Sequence, residues 1–143
     1  MNTRRFLVLL LLFPALAWGA EYTHTVGDHT YVARKSADCF EISEHAAAEC
    51  VRHFFAESEQ ELETSFDSIR SRLVRDRELF EQTQAKWVAF KDSECEVRSV
   101  SAQAFSAPER QKALFVWACA AELNEQRVLQ LKSLSLGCDS CLQ

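Results

Sequence analysis

Between residues 38 and 136 the chain has no glycine and a single proline, Pro108. Turns and strand ends are built from Gly and Pro, so a stretch this long without them can only be mostly helix. A glycine-rich loop that cradles phosphate is excluded on the same ground, and nucleotide-binding motifs of that type with it.

Apolar spacing and capping residues divide the stretch into three helices. Ser43 is a good N-cap for a first helix carrying Ala47, Val51, Phe54, Leu62, Phe66, Ile69 and Leu73, with a break expected near Ser58. Asp76 reads as the cap of a second helix running to about Gln103. Its inner stripe is expected to hold Leu79, Phe80, Thr83, Trp87 and Phe90. Ser106-Ala-Pro-Glu109 is a capping box with Pro in the first turn, and it opens a third helix. Leu114, Trp117, Ala120, Ala121, Asn124, Val128 and Leu131 form the expected inner face of that helix, and Gly137 its end. The fold class is therefore all-α, a small antiparallel bundle of three to four helices with short connections.

The flanks differ from this centre. Arg4 and Arg5 precede an apolar run from Phe6 to Trp18 and then small residues, the layout of a secretory signal peptide over 1–19. That run is too short to span a membrane, which needs about 20 residues. Ala17 and Gly19 favour cleavage after Gly19, with cleavage after Ala17 as the alternative. Residues 20–37 form an N-terminal arm. Within it YTHTVGDHTYV alternates around Gly27-Asp28, the pattern of a two-stranded hairpin that survives only if it packs on the helices. The helical domain is expected over 38–136 and a CxxC tail over 137–143. The leader's only charges are Arg4 and Arg5, so its removal reduces the 16 basic residues to 14, against 21 acidic. An exported acidic domain disfavours nucleic acid and anionic membrane surfaces, and is steered toward cationic partners.

Six cysteines, Cys39, Cys50, Cys95, Cys119, Cys138 and Cys141, lie behind the leader. An even count in an exported chain implies disulfides, though six allow 15 pairings. A Cys95–Cys119 bridge would staple the second and third helices as an antiparallel pair. Eight residues along from the bridge, Trp87 would then lie level with Arg127; five along, Phe90 would lie level with Asn124. The guanidinium on or near the indole would contribute roughly 0.5–2 kcal/mol. Cys39 and Cys50 lie about 16 Å apart on a continuous helix, so they pair only if the chain before Ser43 folds back along the first helix. Cys138-Asp-Ser-Cys141 has the spacing of a redox pair, but it lacks the strand-to-helix setting of one and reads as a small closed loop.

Other constellations are weaker. His45, Glu49 and His53 share a helix face, but a closed zinc site needs four ligands, so the expectation is a polar surface and no metal. The acidic runs Glu57–Glu63 and Glu78–Glu81 read as solvated surface. No nucleophile–base arrangement stands at an informative spacing, which points away from an enzyme and from any cofactor.

Together the motifs resemble a known family. Cys39 and Cys50 are followed by Glu61-Leu62 and Phe66. Then come Gln84, Trp87, Phe90, Lys91, Asp92 and Cys95, and finally Cys119, Asn124, Arg127 and Leu131. This is similar to the LprI-like domain named for a lysozyme inhibitor, whose members are exported bacterial helical domains. The resemblance covers roughly residues 38–134. The chain departs from the pattern at Gln60, Glu63 and Asn124, and in lacking a glycine between Cys95 and Cys119. What the resemblance implies is binding and blocking of a peptidoglycan-cleaving muramidase, possessing no reaction of its own. Its alternative is an interaction or immunity module for another exported partner. Gln84, Trp87 and Arg127 are expected to be structural. Lys91 and Asp92, placed further round the helix and expected to be exposed, are with Arg110 the candidates for contacting a partner.

Overall fold

A computed structural model of the protein describes residues 21–101, 109–138 and 141–143. The leader expected over 1–19, the end of the second helix at Gln103 and the start of the Ser106–Glu109 capping box lie outside the described residues. The order of elements is strand β1 (Tyr22–Val26), strand β2 (His29–Ala33), a 3-10 helix (Ser36–Glu41), then α1 (Glu44–Arg70), α2 (Arg77–Ser101) and α3 (Glu109–Lys132). Among the described residues the chain is mostly helical, with this one hairpin and an isolated bridge between Leu136 and Leu142.

β1 and β2 pair antiparallel from Tyr22↔Ala33 to Val26↔His29. Gly27 opens the two-residue turn at φ 59°, a left-handed conformation that suits glycine. The base of the hairpin packs on the helices: Ala33 is buried, and Tyr22 packs on the same cluster. The Tyr22 hydroxyl donates to Glu49 Oε2 at 3.4 Å. These contacts supply the support that an isolated hairpin lacks. The 3-10 helix then turns the chain back along α1. Cys39 bonds to Cys50 across a Cα separation of 5.6 Å. The Ser36 hydroxyl donates to the Ala118 carbonyl at 3.0 Å, tying the same segment to α3.

Ser43 caps α1 by accepting the Ala46 N–H at 3.4 Å. The helix runs 27 residues without the break expected at Ser58. Ser58 is buried and donates its hydroxyl to the Phe55 carbonyl at 2.8 Å, so it satisfies itself inside the helix. α3 is the central element: it packs against α1 along most of its length and against α2 on another side, while α1 and α2 barely touch. Cys95 and Cys119 form the bridge that staples α2 to α3, with Cα atoms 5.5 Å apart.

α2 corrects the expected stripe. Phe80, Lys91 and Cys95 are buried, with Gln84 and Trp87 half-buried between them. Leu79 and Phe90 are 61% and 54% exposed, and Thr83 is exposed too. The buried set steps by four, three, four and four residues. Leu79 and Phe90 each sit one residue, about 100°, off that line. α2 has essentially one neighbour, so its buried seam is narrow and residues to its side face water. Trp117 of α3 is likewise displaced: it stands at the margin, stacked on Phe55 with centroids 6.1 Å apart.

α3 stops at Lys132, before Gly137. The Leu134 N–H bonds to the Leu131 carbonyl at 3.1 Å, and the Ser133 hydroxyl to the Gln130 carbonyl at 2.7 Å, which closes the last turn without glycine. Gly137, at φ 78°, begins the tail instead. The third bridge, Cys138–Cys141, closes that tail. Beyond it the Gln143 carbonyl accepts the Arg75 and Asp76 N–H groups at 2.9 and 2.8 Å, while its own N–H donates to Asp76 Oδ2 at 2.8 Å. Leu136 and Leu142 pack on the cluster that contains Leu73, Phe80 and Leu131.

All six cysteines are bridged, and Cys95–Cys119 is the one of the three bridges that joins α2 to α3. Replacing both cysteines with alanine is expected to cost about 3 kcal/mol and lower Tm by roughly 10 °C with helicity retained, followed by far-UV circular dichroism on heating. An unchanged Tm would mean that the α2–α3 register is set elsewhere.

Candidate functional site

Two apolar clusters occupy the two ends of the bundle. One holds Val51, Phe54, Leu114 and Ala121; the other holds Leu62, Ile69, Phe80, Val128 and Leu131. Between Phe54 and Leu62 on α1, and between Ala121 and Val128 on α3, each helix carries polar residues at core positions. These are Ser58 with Glu59, Lys91 of α2, and Asn124. They meet in one polar layer across the three helices.

Lys91 stands at its centre, 6% exposed. Its ammonium donates to Glu59 Oε1 at 2.9 Å and to Asn124 Oδ1 at 3.3 Å. It also lies over the Trp87 ring, 5.6 Å from the centroid. An ammonium has three donors, and here two carry hydrogen bonds while the remaining side meets a π face. Asn124, fully buried, donates its amide to Ser58 Oγ at 3.2 Å and to Glu59 Oε1 at 2.6 Å. Burial pushes the Glu59 carboxyl up. Hydrogen bonds from Lys91 and Asn124 and the Lys91 charge outweigh that, and hold it below the usual carboxylate range.

Beside this layer lies the predicted indole–guanidinium pair. Arg127 Cζ is 5.7 Å from the Trp87 centroid, and Arg127 Nε donates to Gln84 Oε1 at 3.1 Å. Arg127 Nη1 also reaches Gln130 Oε1 at 3.1 Å. Trp87 therefore meets two cations, Lys91 and Arg127, a pairing the register gave only for the second.

The remaining candidates fall as follows. Lys91 was expected to be exposed; it is buried, because the seam of α2 runs through it and past Phe90. Phe90 does not lie against Asn124; Lys91 takes that place. Asp92 is exposed on α2. Arg110 lies in the first turn of α3, and its side chain falls outside what the structure describes. Leu131 is buried in the second cluster, and Cys95 and Cys119 are bonded to each other. Glu59 breaks the expectation that the run Glu57–Glu63 is solvated surface throughout. Among the described residues, no group of three or more His, Cys, Asp or Glu comes together to hold a metal ion. His45, Glu49 and His53 form no such group; His53 instead meets the Tyr22 ring at 5.8 Å.

Ser58, Glu59 and the role of Asn124 escaped the sequence reading, although a signal existed. Ser58 continues the Val51–Phe54–Leu62 stripe, and Lys91 continues Trp87–Cys95. A polar residue on an apolar stripe demands a partner at its own level in the neighbouring helix.

An open groove of about 490 Å³ adjoins the layer along α1, lined by Glu59, Gln60, Leu62, Glu63, Phe66 and by Gln84 of α2. It lies between α1 and α2, which make few contacts with each other.

A disulfide-stapled helical bundle with a polar layer across its core is thus the unit that carries the motif residues. The family model for the lysozyme inhibitor LprI matches residues 36–131, and the chain belongs to that family. The matched span begins at the 3-10 helix and ends one residue before the end of α3. It takes in the polar layer and two of the three bridges, and leaves out the hairpin and the tail. No curated protein and no solved structure gives a significant match to the chain. No helix among the described residues is long and apolar enough to cross a membrane.

Because Glu59 titrates below its ordinary value, its stabilising effect is complete above pH about 4.5 and is lost as pH falls through the lowered folded value. Glu59→Gln should remove this acid-side loss, flattening the Tm–pH curve below pH about 4.5 relative to the parent. Glu59→Ala leaves the ammonium buried without its counter-charge and should cost about 3 kcal/mol at neutral pH, read by urea unfolding.

Proposed function

We propose that this chain is an exported protein that binds and blocks a peptidoglycan-cleaving muramidase and catalyses no reaction itself. The observation that carries the reading is membership of the lysozyme inhibitor family over the whole helical unit, residues 36–131. Three features support it. The three disulfides suit an oxidising compartment outside the cytoplasm, periplasmic or secreted, as does the leader-like start. The formal net charge of −5, made more negative once Arg4 and Arg5 are removed, steers the domain toward cationic proteins such as most lysozymes. With every cysteine bridged, the chain holds no thiol nucleophile.

The polar layer serves this function indirectly. It holds three helices in one register, so the outer surfaces form a rigid platform that loses little conformational freedom on binding. Lys91 belongs to that platform, so the side chains that meet the partner are sought among exposed residues such as Asp92, and at Arg110.

Clearing of a peptidoglycan suspension by lysozymes of several classes should slow in the presence of the purified domain at micromolar concentration. Unchanged clearing with every class would overturn the reading.

A further inference from the structure

The groove beside the polar layer is open to solvent, and its chemistry is uneven. Its floor is apolar, formed by Leu62 and by Phe66, which stacks on Phe80 with centroids 4.9 Å apart. Its polar groups are the Glu59 and Glu63 carboxylates and the amides of Gln60 and Gln84. Glu59 and Glu63 are one helical turn apart, so both carboxylates stand on one edge of α1.

The cations near the groove are already engaged. Lys91 holds Glu59 from the inside, Arg127 bonds to Gln84, and Arg70 pairs with Asp67 at 3.0 Å and Glu81 at 3.8 Å. Both inward bonds to Glu59 end on a single oxygen, Oε1, while 45% of its side chain stays exposed. The Glu59 carboxylate is thus oriented from within and open from without. Among the described residues Glu63 has no ion-pair partner, and it is exposed on the rim.

We propose that this α1 groove receives an arginine side chain of the cationic partner, with Glu59 and Glu63 as its acceptors and Leu62 and Phe66 against its stem. Arginine fits better than lysine. A planar guanidinium carries five donors in a fixed fork and can serve two carboxylates together, whereas an ammonium is a compact, strongly hydrated point charge. The methylene stem covers the apolar floor while the head stays with the acids. Glu59 is held in place before binding, so ordering it costs no side-chain entropy at that step. The inference rests on the inhibitor reading for the identity of the partner, and on the groove alone for the chemistry.

The test separates the two. Acetyl-Arg-Arg-Arg-amide is titrated into the 15N-labelled protein, with the trilysine and triglycine peptides as controls. Saturable shifts are expected at the amides of residues 59–66 and 84, stronger for triarginine than trilysine and absent for triglycine. Glu63→Arg should weaken the triarginine interaction about tenfold or more. Glu57→Arg, the same charge change at an exposed position of α1 outside the groove, should leave it within about twofold. Shifts scattered over the acidic surface, no shifts, or equal losses in both variants would overturn the groove. In the clearing assay, Glu63→Arg should lose potency and Glu57→Arg should keep it. Equal potency of the two would overturn the groove as the partner's site while inhibition stands. Saturable triarginine binding at the groove with no lysozyme inhibited would remove the inhibitor reading and leave the groove.

Discussion

One buried ammonium ties this molecule together. Lys91 reaches across from α2 to Glu59 of α1 and Asn124 of α3, so all three helices meet at a single charge. A bare ammonium in such a place would be costly by several kcal/mol. It is tolerable because Glu59 supplies the counter-charge, Asn124 a neutral acceptor and Trp87 a π face, while Glu59 keeps part of its own hydration. The gain from such a layer lies less in net stability than in register. A helix that slid by one residue would leave the ammonium without either acceptor, whereas the apolar clusters on both sides would tolerate the slip more readily.

The disulfides act at other points of the same frame. Cys95–Cys119 fixes α2 against α3 one turn beyond the polar layer, and that spacing lets Arg127 reach Trp87 and Gln84. Cys39–Cys50 holds the 3-10 segment on α1 and with it the base of the hairpin. Cys138–Cys141 closes the tail, whose last residue bonds to the main chain of Arg75 and Asp76 where α1 gives way to α2. Each end of the bundle is thus closed by chain from outside the helices, and the middle is held by charge.

Much of this was legible in the sequence. The lack of Gly and Pro forced helices; Ser43 marked the start of α1; the alternation around Gly27 gave the hairpin with its turn in place. The level of Cys95 with Cys119 brought Trp87 to Arg127. What failed has a common cause: apolar character was used to decide which side of α2 faces inward. On that criterion Phe90 is a core residue and Lys91 a surface one. α2 packs on essentially one neighbour, so its seam admits a single line of residues, and that line runs through Lys91. On the same criterion Ser58 is a helix break and Glu59 solvated surface, though both lie where α1 meets the other two helices. The groove was illegible for a different reason: it depends on how closely α1 and α2 approach each other, which no periodicity encodes.

Fold and function therefore divide the polar residues between them. Those facing inward hold the register; the outer edge of Glu59, with Glu63, is left for a partner. The enclosure of the Lys91 side chain between Glu59 and Asn124 is the claim on which this division rests. Heteronuclear NMR of the side-chain ammonium groups tests it most directly, since the chain has only five lysines. The account predicts one ammonium signal at neutral pH that exchanges slowly with water and disappears in Lys91→Arg. If all the lysine ammonium groups exchange at the rate of freely solvated ones, Lys91 is not enclosed, and the three helices are not joined through it.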